Sequence, residues 1–276
     1  MTVDSHIHLI GDGGRYPLRP TSLAGDSWYR TSPVDAAAFV GLMAEAGVEH
    51  AVVVQAVGAY SDDNSYALDA AAADPDRFAA VVMVDPNGPE PGPALRECAQ
   101  RGAAGVRLFA VRDPERSVDA PEFRPLWDEA AARELPVVVT VWTGQLPGVA
   151  AMATAYPDLP VIVDHCAFPT FPGGLGPILG LASLPNLSVK VTAHLFHDAV
   201  AGGEQPEKVL ATIVETYGAR RVIWGSDFPQ THTVSYRELV EEGRLAAAKL
   251  TAEDREAVLG ANARQLWWPA SRRPPE

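Results

Sequence analysis

The sequence predicts an α/β fold, a (β/α)8 barrel of the TIM type with an extra C-terminal helix. Three observations predict it. Short runs rich in β-branched residues alternate with Ala-, Leu- and Glu-rich stretches along the 276 residues. The alternation repeats eight times within about 250 residues, the count and length of such a barrel. Seven of the eight strand candidates are near-continuous apolar runs, such as Ala51-Val52-Val53-Val54 and Val137-Val138-Val139, as expected of strands buried on both faces of a parallel sheet. A doubly wound open sheet would usually have fewer strands and a glycine-rich phosphate turn running straight into a helix. Here Gly11-Asp12-Gly13-Gly14-Arg15 reads as a loop.

Taken in order, strands are expected at 2–8, 50–57, 78–85, 104–109, 136–142, 160–165, 187–192 and 221–227. Helices are expected at 34–46, 65–73, 93–101, 123–134, 149–156, 176–184, 206–217 and 235–249. Asp35 and Glu207 fall in first turns, and Gly47, Gly102 and Gly218 follow last turns, where helix starts and stops place them. A final helix at 252–266 closes the chain. The longest connection, 9–32, is aromatic and basic (Arg15, Tyr16, Arg19, Trp28, Tyr29, Arg30), and a loop of that length in a compact domain is usually functional. No domain boundary interrupts the pattern. We expect one domain over 1–268 and a disordered tail over 269–276.

Composition narrows the function classes. The net charge of −13 argues against a nucleic-acid or anionic-membrane surface, either of which needs a concentrated basic patch. Lysine is scarce: only Lys190, Lys208 and Lys249 occur. The two cysteines, Cys98 and Cys166, form no disulfide framework and no Cys-x-x-Cys pair, which fits a reducing cytoplasm. Both read as small buried hydrophobes, with Cys166 beside His165 as a minor candidate nucleophile. No apolar run approaches the ~18 residues of a membrane span, and the chain opens directly on a strand, with no room for a signal peptide.

The chemistry is expected at the carboxyl ends of the strands, where barrels of this type keep their catalytic residues. The first strand ends in Asp4-Ser5-His6-Ile7-His8, and alternation puts both histidines on one face. A lone His-x-His occurs by chance often enough to carry little weight. Strand 4, however, ends near Arg107, strand 6 in Asp164-His165-Cys166, strand 7 at His194, and strand 8 in Gly225-Ser226-Asp227-Phe228-Pro229. Three histidines and a carboxylate at different strand ends would converge at one mouth, which a random scatter would rarely achieve.

The opening Asp-x-His-x-His, the Asp-His after strand 6 and the Gly-Ser-Asp-Phe-Pro after strand 8 resemble the amidohydrolase superfamily. The nearer likeness is to its amidohydrolase 2 branch of lactone hydrolases and metal-dependent decarboxylases. The segment Gln55-Ala56-Val57-Gly58-Ala59-Tyr60-Ser61-Asp62-Asp63-Asn64 is similar to the strand 2 loop of the pyrone-dicarboxylate, sugar and muconolactone lactonases, and Val258-Leu259-Gly260-Ala261-Asn262-Ala263 to the branch's C-terminal signature.

The resemblance implies a hydrolase opening a carboxylate-bearing or polyhydroxy lactone. Asp227 would activate water, and His6, His8 and His165 would polarise the carbonyl. Two departures bear on the cofactor. No lysine stands near the end of strand 4, so a two-metal site is not expected. Strand 5 reads Val139-Thr140-Val141-Trp142-Thr143, without the histidine that one-metal members carry. One divalent ion, zinc or manganese, on His6, His8, Asp227 and His165 and a metal-free site both stay open. Asp4 is expected to fix a histidine tautomer, and Arg107 to clamp a substrate carboxylate or simply to salt-bridge inside the barrel, with Arg112 and Arg116 assisting. Tyr60, Asn64, Trp142 and His194 are expected to line the pocket. The alternatives are a decarboxylase acting on an aromatic or muconate-type acid, and a non-catalytic barrel that binds. The partner in each case is a small molecule, and the aromatic first loop is a candidate contact for a homo-oligomer.

Overall fold

The computed structural model describes residues 1–19 and 28–269. Its centre is a ring of eight parallel strands hydrogen-bonded in chain order. They are β1 (Val3–Ile7), β2 (His50–Val54), β3 (Phe78–Met83), β4 (Ala103–Phe109), β5 (Val137–Thr140), β6 (Val161–Val163), β7 (Leu187–Thr192) and β8 (Val222–Gly225). The ring closes where β8 runs out against β1. Asp227 N donates to His6 O at 2.9 Å and His8 N donates to Phe228 O at 2.8 Å. Gly225 permits that seam, since a Cβ there would lie 2.8 Å from the Cβ of His6. The closure thus brings the end of β8 onto the histidine strand.

Two apolar layers support the ring. Outward-facing strand residues such as Ala51, Val53, Val137 and Val139 pack beneath the helices with Phe39, Leu95, Trp127 and Ile213. Inward-facing Val52, Val54, Val81, Val138, Ile162 and Ile223 fill the amino end of the barrel, and Trp267 from the last helix joins them as a plug. The polar residues of β1 and β7 lie above that plug. The barrel interior is therefore oily at one end and charged at the other.

Most expected elements are present, the strands ending up to three residues early. Helix 65–73 is realised as Ser65–Ala73 and helix 206–217 as Pro206–Tyr217. The C-terminal helix is broken into Ala252–Glu256, a π turn at Ala257–Ala261, and Asn262–Trp267. Two short helices, Trp28–Thr31 and Val57–Tyr60, and the longer Ala193–Ala201 were not foreseen; the last starts directly off β7, so His194 sits in a first helical turn rather than at a strand end. Residues 20–27 of the first long connection, and the expected tail apart from Pro269, lie outside the described residues. Among the described residues, no helix is long and apolar enough to cross a membrane.

Candidate active site

Four side chains meet at the carboxyl end of the barrel. His6 and His8 leave β1 on the same side, their rings 5.0 Å apart. His165 follows β6, and its ring centre is 5.0 Å from that of His6. Asp227 follows β8, with Oδ1 3.5 Å from His6 Nε2 and 3.4 Å from His8 Nε2. The backbone is bent hard to do this. His165, Cys166, Ala167, Phe168 and Asp227 all have positive φ, between 50° and 61°. Non-glycine residues are rare there, and such strain persists where surrounding structure enforces it, most often at functional sites. It also explains why β6 ends at Val163, before the histidine.

Hydrogen bonding fixes what each ring presents. His8 Nδ1 lies 2.8 Å from the Val54 carbonyl, an acceptor only, so that nitrogen carries the hydrogen. Its Nε2 is thereby turned toward the Asp227 carboxylate. His165 Nδ1 is held by Thr192 Oγ1 at 2.9 Å. Burial pushes His165 down to about 4, with Asp227 and Asp164 only partly opposing, and burial likewise drives His6 well below the ordinary imidazole range. Burial pushes Asp227 upward, but His165, His8 and His6 outweigh it and hold its carboxyl below the usual range.

The buried atoms His6 Nε2, Asp227 Oδ1 and Asp227 Oδ2 have no hydrogen-bond partner. Orphaned polar atoms facing one another in a dry interior call for something between them, a shared proton or a metal ion. His6, His165 and Asp227 offer ligand atoms that all lie within 4.8 Å of one another. Two ligands on a tetrahedral zinc, each at about 2.1 Å, stand about 3.4 Å apart. The residues therefore fit a divalent ion. His8 stands outside that trio, with its Nε2 against Asp227 and its ring edge-on to that of His6.

Behind the histidines lies a second polar layer. Asp164 Oδ1 is 3.3 Å from His6 Nδ1 and 2.9 Å from Lys190 Nζ. Arg107 Nε and Thr140 Oγ1 donate to Asp164 Oδ2 at 3.2 and 2.8 Å. This corrects the expectation for Asp4, which touches no imidazole nitrogen. Its Oδ1 accepts from the backbone nitrogens of His6 at 3.1 Å and Ser226 at 2.9 Å, stitching β1 to the end of β8. Asp164 takes the imidazole instead.

Burial pushes Asp4 from 3.8 up to about 6, hydrogen bonds from Ser226 and His6 notwithstanding. A carboxyl raised in the fold supports stability below its unfolded value and withdraws that support as pH rises through the folded one. The shift corresponds to about 3 kcal/mol in total. Asp4→Asn should therefore gain on the wild type by an amount of that order between pH 4 and pH 7, measured by urea unfolding. A stability difference that is flat with pH would refute this.

Above the four residues opens a cavity of about 670 Å³, within the range of small-molecule sites. His8, His165, Arg107 and Thr140 form its inner wall, and Trp28, Phe109, Trp142 and Phe168 its apolar sides. His6 and Asp227 are fully buried just beneath. Of the expected lining residues, Trp142 and His194 are there. Trp142 is 41% exposed, and its Nε1 donates to Val111 O at 2.9 Å. His194 Nδ1 is 2.9 Å from Asp198 Oδ2.

Tyr60 and Asn64 do not line this cavity. Tyr60 accepts from Gly11 N at 2.8 Å within a separate aromatic cluster. Asn64 uses its amide on Met83, donating to its carbonyl and accepting from its N–H at 2.7 and 2.8 Å. Arg112 and Arg116 border a neighbouring recess. Cys166 is buried and its thiol is pushed up to about 12, so it is no nucleophile. The residues that sequence reasoning missed are Asp164, named but given no role, and Lys190. A lysine in the middle of a β-branched strand was the available signal.

Comparison with known proteins gives concordant results. The family model described as Amidohydrolase matches residues 3–267. An L-fucono-1,5-lactonase from Burkholderia ambifaria is 30% identical over 244 residues, 82% of this chain and 80% of that protein. A 4-sulfomuconolactone hydrolase from Hydrogenophaga intermedia is 26% identical, across 96% of this chain and 88% of that one. Among solved structures, a putative 2-pyrone-4,6-dicarboxylic acid hydrolase from Pseudomonas putida superposes with a TM-score of 0.78 at 25% identity, covering 96% of this chain and 97% of its own.

Proposed function

This chain belongs to the amidohydrolase family, and we propose that it is a lactone hydrolase whose cavity floor carries the reaction. The observation that carries the reading is the convergence of an ionised Asp227 with His6, His8 and His165 beneath a small-molecule cavity. It is supported by curated relatives that open lactones, along 82% and 96% of this chain.

Opening a lactone needs a deprotonated water and a stabilised oxyanion. Asp227 accepts the water's proton, since it is ionised at neutral pH. It is a weak base, so much of the work falls on polarising the carbonyl. His8 and His165 reach the cavity wall and orient the carbonyl and water. A divalent ion held by His6, His165 and Asp227, with His8 beside it, would act as Lewis acid and acidify the water. Arg107 keeps its Nε on Thr140 and Asp164 and offers the outer edge of its guanidinium to an anionic or hydroxyl-rich substrate. Trp142 and Phe168, with ring centres 4.9 Å apart, pack the apolar face of the ring. The two free thiols suit a cytoplasmic protein.

The decarboxylase reading has less behind it, because the end of β5 supplies Trp142 rather than a histidine. A purely binding barrel gives no reason to keep orphaned polar atoms in a dry interior. A panel of sugar and muconic lactones, followed by acid release, tests the assignment against carbon dioxide release from aromatic acids. Acid release is expected, and carbon dioxide alone would overturn it. Elemental analysis should find close to one equivalent of zinc or manganese, and chelation should cut the rate by about 100-fold or more, as loss of a Lewis acid worth several kcal/mol does. Full activity in a metal-free sample would move the carbonyl's activation to the imidazoles alone.

A further inference from the structure

One buried group has no part in the steps above. Lys190 is 0% exposed, on β7, inside the barrel. An ammonium with no access to water is costly to keep, and an apolar side chain of like volume would pack that position at no such cost. Its surroundings show what it serves. Nζ lies 2.9 Å from Asp164 Oδ1 and 3.4 Å from His6 Nδ1, it sits 5.4 Å from the centre of the Trp267 ring, and Lys190 does not line the cavity.

We propose that Lys190 is a positioning residue for His6: it pairs with Asp164 and holds that carboxylate against His6 Nδ1, so that the ring turns a bare Nε2 toward Asp227. The distances favour this order. The ammonium's close partner is the carboxylate at 2.9 Å, and at Nδ1 itself the carboxylate oxygen, 3.3 Å away, stands nearer than the ammonium at 3.4 Å. Asp164 Oδ1, 3.3 Å from Nδ1, is then the acceptor for the Nδ1 hydrogen, strengthened by its full charge. Arg107 and Thr140 hold the other oxygen, so the carboxylate cannot swing away. A carboxylate behind an imidazole is the usual way of fixing which nitrogen is free to bind an ion. Here a lysine from β7 fixes the carboxylate in turn.

The proposal rests on the lactonase reading only for its kinetic readout. In a histidine side-chain ¹H–¹⁵N spectrum of the wild type, with His6 assigned through His6→Gln, the hydrogen is expected on Nδ1. Lys190→Met should blur that tautomer and weaken zinc binding, followed by competition with a chromophoric chelator, by about 10- to 100-fold. It should lower kcat with KM little changed, and Lys190→Arg should restore part of each. Should Lys190→Met fail to fold, Lys190→Gln, which keeps a donor and loses the charge, carries the same expectations. A wild-type His6 protonated on Nε2 overturns the proposal. So does a folded neutral variant whose tautomer, zinc affinity and kcat match the wild type while only its melting temperature moves. A wild type that opens no lactone defeats the functional reading but leaves the spectrum and the zinc titration to decide this one.

Discussion

Asp227→Asn is expected to lower kcat/KM for lactone opening by about 10³-fold or more while the protein stays folded. Loss of a general base alone costs about 10²–10⁴, and the same oxygens belong to the trio that could hold an ion. Asparagine keeps the shape and leaves the backbone N–H of residue 227 bonded to His6 O, so the seam between β1 and β8 survives. What disappears is the negative charge that His6 and His8 face at 3.5 and 3.4 Å. Zinc affinity should fall with the rate, because the amide oxygen is a poorer ligand than a carboxylate. Turnover within a few-fold of wild type, with an unchanged circular dichroism spectrum, would remove Asp227 from the mechanism and with it the reading of the four-residue floor.

The barrel was legible because its signal is collective. Eight apolar runs at regular spacing survive errors at any one boundary, and the two-sided burial of Val52 and Val53 explains why neither face of β2 needed polar residues. The four floor residues were legible because each stands at a strand end, the one place where sequence order predicts convergence. What lay deeper was not. Whether Asp4 or Asp164 meets an imidazole depends on the direction each side chain leaves its backbone, and past β6 the chain turns left-handed from His165 onward, which no periodicity signals. Tyr60 and Asn64 sit in the recognisable strand 2 segment, yet a short helix at Val57–Tyr60 carries the tyrosine into another cluster. Lys190 was visible as an oddity of β7, where Ser188, Lys190 and Thr192 alternate with Leu187, Val189 and Val191. Its partner lies just past β6 and its target on β1, contacts that no periodicity reports.

The largest effect on stability should come from Asp164→Ala. Burial pushes this carboxyl up, but Lys190, His6 and Arg107 together outweigh it and hold it well below its ordinary value. The substitution takes the ion-pair partner from two cations: Lys190, left with the weaker pull of Asp4, and Arg107, left with Thr140 at 2.7 Å. Removing one partner from a buried ion pair costs about 3–5 kcal/mol. In a chain of this size each kcal/mol lowers the melting temperature by about 2–4 °C, so a fall of about 10 °C is expected by calorimetry near pH 7. The sign with pH follows from the depressed carboxyl. Its contribution is fully present above the unfolded value of 3.8 and is lost as pH falls through the lower folded one. The gap between wild type and Asp164→Ala should therefore be widest near neutrality and close in acid. Asp164→Asn, which keeps an acceptor for Thr140 and Arg107, should lose less than alanine does. Equal losses for the two variants, or a gap indifferent to pH, would mean that the cations of the barrel interior are held by something other than this carboxylate.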